Sequence, residues 1–314
     1  DGAPMSIPFT RGRQACLAIG MIVMLGAAAL AVALLLTINQ RDPALEFEAL
    51  FRDALARGST DDSFPVARFA RRYDVCAYGA SDPLTERRVA RFFELVRNET
   101  WMQPNLSFRA KVSECPETTF FYIFHHNGEG GSARATLDDL MFITARHDMA
   151  LPADHLRYIP AHLPGFVVPL GVPGKPPRIF SAINGFPDAK SETERILART
   201  VLQQELFQAV LVARDLEVKR RPVSIVEEWN ISTTLRNPLA DPQYAARWLK
   251  HNVHNMCLYD IMLLITLYAW DEAVLEGKLG PYIRYIRNHY DEIEKRARAI
   301  QQNPGYSDLF PEKC

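Results

Sequence analysis

Apolar residues recur with two different periods along this chain, and each change of period marks an element. Over residues 191–216, SETERILARTVLQQELFQAVLVARDL, no Gly or Pro interrupts the pattern. Leu197, Val201, Gln204, Gln208 and Leu211 succeed one another at steps of four and three, which places them on one helix face. Ser191 with Glu194 three residues on supplies a capping-box start, so one long helix over 191–216 is expected. Upstream, residues 72–78 (RYDVCAY), 107–112 and 118–124 (TTFFYIF) read as strands, the last apolar enough to be central. Residues 84–98 and 136–146 carry helical spacing. The resulting β-α-β-β-α order is that of an α+β layer domain. Eight prolines between 151 and 187 argue for a long structured loop over a groove, with a strand at 178–184 leading to the long helix. Beyond it come a short extended segment at 224–229 and helices at 244–254, 258–269 and 281–302. The last repeats Ile283, Ile286, Tyr290, Ile293, Ala297 and Ile300 and is expected to pack on its own domain.

The strongest apolar signal is the uncharged run over residues 16–38, long enough for the roughly 20 residues a membrane helix needs. Arg11 and Arg13 precede it, so the positive-inside rule exports residues 39–314. Ala31-Val32-Ala33 also fits a signal-peptide cleavage site, but the run continues through Leu36. The expected organisation is a cytoplasmic tail (1–14), a single-pass transmembrane anchor (15–38) and a juxtamembrane helix with linker (39–63). An extracytoplasmic domain (64–302) and a tail (303–314) complete it. A bacterial inner membrane with the large domain on the periplasmic side is the matching location.

Composition narrows the chemistry. A net charge of −1 over 314 residues leaves no basic excess for nucleic acid. Four cysteines lie beyond the apolar run, and none forms a C-x-x-C pair. In an oxidising compartment Cys76 and Cys115, both near predicted strand ends of one subdomain, are expected to pair, leaving Cys257 and Cys314. His125 and His126 adjoin a strand end and read as a loop feature, because adjacent strand residues point to opposite faces. His251 and His254 share a helix face but lack a third ligand at a suggestive spacing.

One motif remains. Gln204-Glu205-Leu206-Phe207-Gln208 is the zinc-protease pattern H-E-x-x-H with both histidines replaced by glutamine. A neutral amide oxygen is a poor zinc donor, so the metal and the water it would activate for Glu205 are both expected to be lost. Three segments together, Gln204 to Gln208, Ser224-Ile225-Val226-Glu227-Glu228 and Tyr259-Asp260 through Leu267-Tyr268, carry a resemblance. They resemble a family of bacterial envelope proteins, a domain of unknown function related to the zincin metallopeptidases. Its pattern pairs an E-E-L-x-Q helix with S-I-F-N-D and Y-D-x-x-L-L-x-x-L-Y. Here Gln204 replaces the first acid of that pattern, and Glu227-Glu228 replaces Asn-Asp. The resemblance implies a zincin-like domain with an altered site, no metal and no cofactor. The family brings no activity to carry over, and the expected role of an altered site is to bind a protein or peptide partner or to build an envelope complex; a third reading is an accessory subunit whose anchor helix is the main contact. The rival reading is a divergent hydrolase with Glu205 as general base and Glu227, Glu228 or Asp260 as accessory acids.

Overall fold

The computed structural model describes residues 42–126, 132–149, 165–171, 178–184, 191–217, 223–228, 241–269 and 276–310. Five strands form its main sheet: β1 (Arg72–Gly79), β2 (Gln103–Arg109), β3 (Thr119–His126), β4 (Gly165–Leu170) and β5 (Arg178–Asn184). Their order is β2-β1-β3-β5-β4. Four strands run parallel, and β4 lies antiparallel to β5 at the edge, so the fold is α+β with a mixed sheet. Side chains alternate between two covered faces. Val75, Ala77, Phe121, Ile123, Ile179 and Ile183 enter the larger core, whereas Cys76, Tyr78, Tyr122, Phe124, Phe180 and Ala182 enter a smaller one. Burial on both faces explains why β1 and β3 read as nearly unbroken apolar runs.

Among the described residues the helices are α1 (Pro43–Ala56), α2 (Pro83–Glu99), α3 (Ser132–Arg146), α4 (Glu192–Leu211), α5 (Pro242–His251), α6 (Leu258–Leu267) and α7 (Leu279–Gln301). Leu140 and Ile143 of α3 cover the smaller core, and the other helices contribute to the larger one. α2 starts cleanly because Asp82 accepts from the Leu84 and Thr85 amides at 2.7 and 3.0 Å and Pro83 needs no donor there.

Several sequence expectations are corrected. Among the described residues no helix is long and apolar enough to cross a membrane. The apolar run at 15–38 itself lies outside them. The helix expected between the apolar run and the folded domain packs into the core, since Phe47, Leu50 and Phe51 of α1 are fully buried. Glu48 ties it to α7. Burial alone would raise the Glu48 carboxyl, but Arg287 at 2.7 Å and Arg52 at 3.1 Å hold it below the usual carboxylate range. β2 begins four residues earlier than expected, because Pro104 is tolerated on an edge strand, and Val112 falls in a 3-10 turn (Val112–Glu114). The proline-rich stretch hides β4, where Pro169 again sits at a sheet edge.

Cys76 and Cys115 form a disulfide with Cα atoms 5.8 Å apart, linking β1 to the turn ahead of β3 across 39 residues. Cys257 is also disulfide-bonded. Its partner, and so the expected Cys257–Cys314 pairing, lies outside the described residues. Closing a loop of the length spanned by Cys76 and Cys115 restricts the unfolded chain by about 4 kcal/mol in the entropy model. The double variant Cys76→Ser with Cys115→Ser is therefore expected to lose stability of that order in equilibrium chemical denaturation. An unchanged midpoint would show that the crosslink contributes nothing.

Candidate functional site

α4 begins with the capping box expected of it: the Glu194 amide donates to Ser191 Oγ at 3.2 Å, and the Ser191 amide donates to Glu194 Oε2 at 2.9 Å. From Thr200 to Leu211 every residue is buried, four long polar side chains included: Gln203, Gln204, Glu205 and Gln208. Burying such groups unpaired costs about 1–3 kcal/mol each, so their partners define what the helix can do.

Gln203 is structural. Its Nε2 donates to the Leu309 carbonyl at 3.1 Å, and its Oε1 accepts from the Met256 amide at 3.3 Å. One turn earlier, Thr200 donates to the His254 carbonyl at 3.0 Å. These bonds fasten one flank of α4 to the segment before α6 and to the C-terminal region. His254 itself is bonded through Nε2 to the Leu249 carbonyl.

Gln204 and Gln208 meet a residue the motif does not contain. Both donate from Nε2 to the same oxygen, Asp215 Oδ1, Gln204 at 3.4 Å and Gln208 more closely. The backbone makes this meeting possible by ending α4 five residues before the expected 216. Val212 adopts a left-handed conformation (φ 52°, ψ 33°), and the Ala213 amide closes the end on the Gln208 carbonyl at 3.0 Å. A β-branched residue seldom takes that conformation, but here it turns the chain back so that Asp215 reaches the last turns of the helix. Burial raises the Asp215 carboxyl above its ordinary range, and the two amides pull against that rise.

Glu205, on the adjoining flank, is buried beneath the edge strand. A Cβ on Gly165 of β4 would sit 2.5 Å from Glu205 Cγ and 2.6 Å from Oε1, so only glycine lets the strand approach this closely. Just beyond Asp215, β6 (Leu216–Glu217) pairs in parallel with β7 (Glu227–Glu228), in register Leu216 with Glu227 and Glu217 with Glu228. Glu227 is buried there, across from the residue next after Asp215.

Asp260 is placed in a different role from the accessory acid expected. It is fully buried and accepts from Ser224 Oγ at 2.5 Å, the Ile225 amide at 3.0 Å and the Cys257 amide at 2.6 Å. It therefore clamps the segment ahead of β7 to the first turn of α6. Burial pushes its carboxyl up to about 7 against the opposing hydrogen bonds. His125 and His126 belong to the end of β3 rather than to a loop. Among the described residues no group of three or more His, Cys, Asp or Glu side chains is placed to hold a metal ion.

Comparison with known proteins gives no matching family model, no matching curated protein and no matching solved structure.

The contact between Glu205 and β4 can be tested by crowding it. Gly165→Ala is expected to cost about 1–3 kcal/mol by overpacking, and Glu205→Ala in the same chain should restore most of that loss. Additive effects of the two substitutions in thermal unfolding would disprove the close contact. For Asp260, the folded chain keeps a proton that the unfolded chain has already released, so this group makes stability fall as pH rises from about 4 to about 7. Above about 7 its contribution is flat. The unfolding free energy of the wild type relative to Asp260→Asn should decline across that window, and a difference independent of pH would contradict the assignment.

Proposed function

We propose that this chain is a metal-free relative of the zincin-type domains, a pseudoenzyme that holds an extended peptide or protein segment where a peptidase would cleave one. The observation that carries the reading is the closed set formed by Gln204, Gln208 and Asp215. Two histidines and a carboxylate on a helix and its return would make a zinc triad. Here two amide N–H groups and one carboxylate satisfy each other instead. The residues present do not fit a catalytic zinc, because the glutamine donors face Asp215 and their oxygens are neutral, weak ligands. Glu205 then serves as a buried acid under the rim of the site and has no metal-bound water to activate.

Binding is favoured by the edge position of β4. Among the described residues β4 pairs only with β5, so its outer edge offers main-chain donors and acceptors to an added strand. The segment so bound would run past Gly165 and the acids beneath it. The Cys76–Cys115 disulfide supports an oxidising, extracytoplasmic setting for this work.

The test is metal content. Protein purified without chelators should contain far less than one zinc per chain. The double variant Gln204→His with Gln208→His should gain close to one, and Asp215→Ala in that background should weaken it. Stoichiometric metal in the wild-type chain that disappears with Asp215→Ala would overturn the proposal in favour of a hydrolase with Glu205 as general base.

A further inference from the structure

The amino ends of the parallel strands gather positive charge. Arg71 and Arg72 lead into β1, Arg97 lies in the last turn of α2, and Arg178 opens β5. The whole chain has a net charge of −1, so this excess is local. Two cavities, of about 360 and 540 Å³, lie here and share Gln103 of β2. Arg71, Trp101 and Arg296 line the smaller one. Arg72, Arg97, Tyr73 and Phe120 line the larger.

The acids at hand are already engaged. Asp74, the one carboxylate lining either cavity among the described residues, accepts from Asn105 Nδ2 at 2.9 Å and from Thr118 Oγ1. Glu99 lies 3.8 Å from Arg296, which also donates to the Glu99 carbonyl at 2.6 Å. Arg72 and Arg97 are exposed, and among the described residues their side chains make no hydrogen bond or ion pair. Aromatic rings back two further cations, with Arg68 over Trp101 and Arg178 over Phe120, each 5.3 Å from the ring centre. Tyr73 is only 6% exposed, and its hydroxyl has no hydrogen-bond partner among the described residues. It is the kind of donor that a ligand rich in acceptors would satisfy.

The cations are strung along the two cavities rather than gathered at a point. One pair, Arg71 and Arg296, lines the first, and a second pair, Arg72 and Arg97, lines the next, with Gln103 common to both. A single small anion would meet one pair at most, whereas a chain bearing carboxylates at intervals meets both. Gln103, Pro104 and Asn105, the start of edge strand β2, also border the larger cavity, and an extended segment suits such a border. We infer that this groove binds an acidic segment of a partner protein, its aspartate and glutamate carboxylates pairing with the arginines of the two cavities. The groove shares no residue with the glutamine–aspartate set on α4 and stands whether or not that set holds a peptide.

Fluorescence anisotropy of the full chain with a labelled hexaglutamate peptide tests it, with hexaglutamine as the neutral control of equal length. Saturable binding of hexaglutamate is expected, weakened at least about tenfold, or 1.4 kcal/mol, in the double variant Arg72→Gln with Arg97→Gln. Both side chains are exposed, so the variant should keep the wild-type melting temperature. If it fails to fold, Arg97→Gln alone carries the comparison. Arg109→Gln, at the far end of β2, should bind like the wild type. The inference falls if hexaglutamate binds no better than hexaglutamine, or if the double variant binds like the wild type. Equal weakening by Arg109→Gln would show diffuse charge attraction alone and overturn it too. Stronger competition by O-phosphoserine than by free glutamate, at matched ionic strength, would assign the groove to a phosphate group instead.

Discussion

A helix buried around its whole circumference can carry polar side chains only where each one meets a fixed partner, and α4 carries four of them within six residues. That requirement organises the rest of the domain. Gln203 demands the Met256 amide and the Leu309 carbonyl, which fixes the approach to α6 and the chain beyond α7. Gln204 and Gln208 demand Asp215, which fixes how the chain turns after the helix. Glu205 demands a strand without a side chain above it, met by Gly165. Each partner comes from a different part of the sequence, so the polar residues of one helix set the positions of segments that share little else.

The turn at Val212 shows how such a demand is met at a cost. Holding a β-branched residue in the left-handed region is unfavourable by about 1–2 kcal/mol. Two amide hydrogen bonds to a carboxylate are worth about 1.5–3 kcal/mol each, enough to offset it. The same balance explains why Asp215 remains beside neutral donors although burial raises its carboxyl. The helix end and the site are therefore one structure. Changing either without the other would leave a strained backbone or an unpaired acid.

Much of the scaffold was legible because it obeys simple periods. The strand at 72–78, the helix over 84–98 and the capping box at Ser191 all rest on local rules that the packed structure has no reason to override. The disulfide was legible too, since both cysteines belong to one subdomain, Cys76 in β1 and Cys115 in the turn ahead of β3. Other features depend on distance in space. β4 was hidden by Pro169, which a central strand excludes and an edge strand accepts. Asp215 was hidden because the helical period of the sequence runs on through Leu216, with no glycine to mark the stop.

The placement of β4 and β5 also bears on how the chain is made. They pair across a short connection at 171–177, whereas β3 pairs only with strands more distant in sequence. While the polypeptide emerges, β1, β2 and β3 are complete by His126, but the neighbour that covers the other side of β3 ends at Asn184. At 5–20 residues per second, those roughly 60 residues take about 3–12 s. For that interval TFFYIF stands as an open apolar edge, a target for pairing with other nascent chains. The arrangement that makes β3 the centre of the finished sheet leaves one of its edges without its partner until β5 has been made.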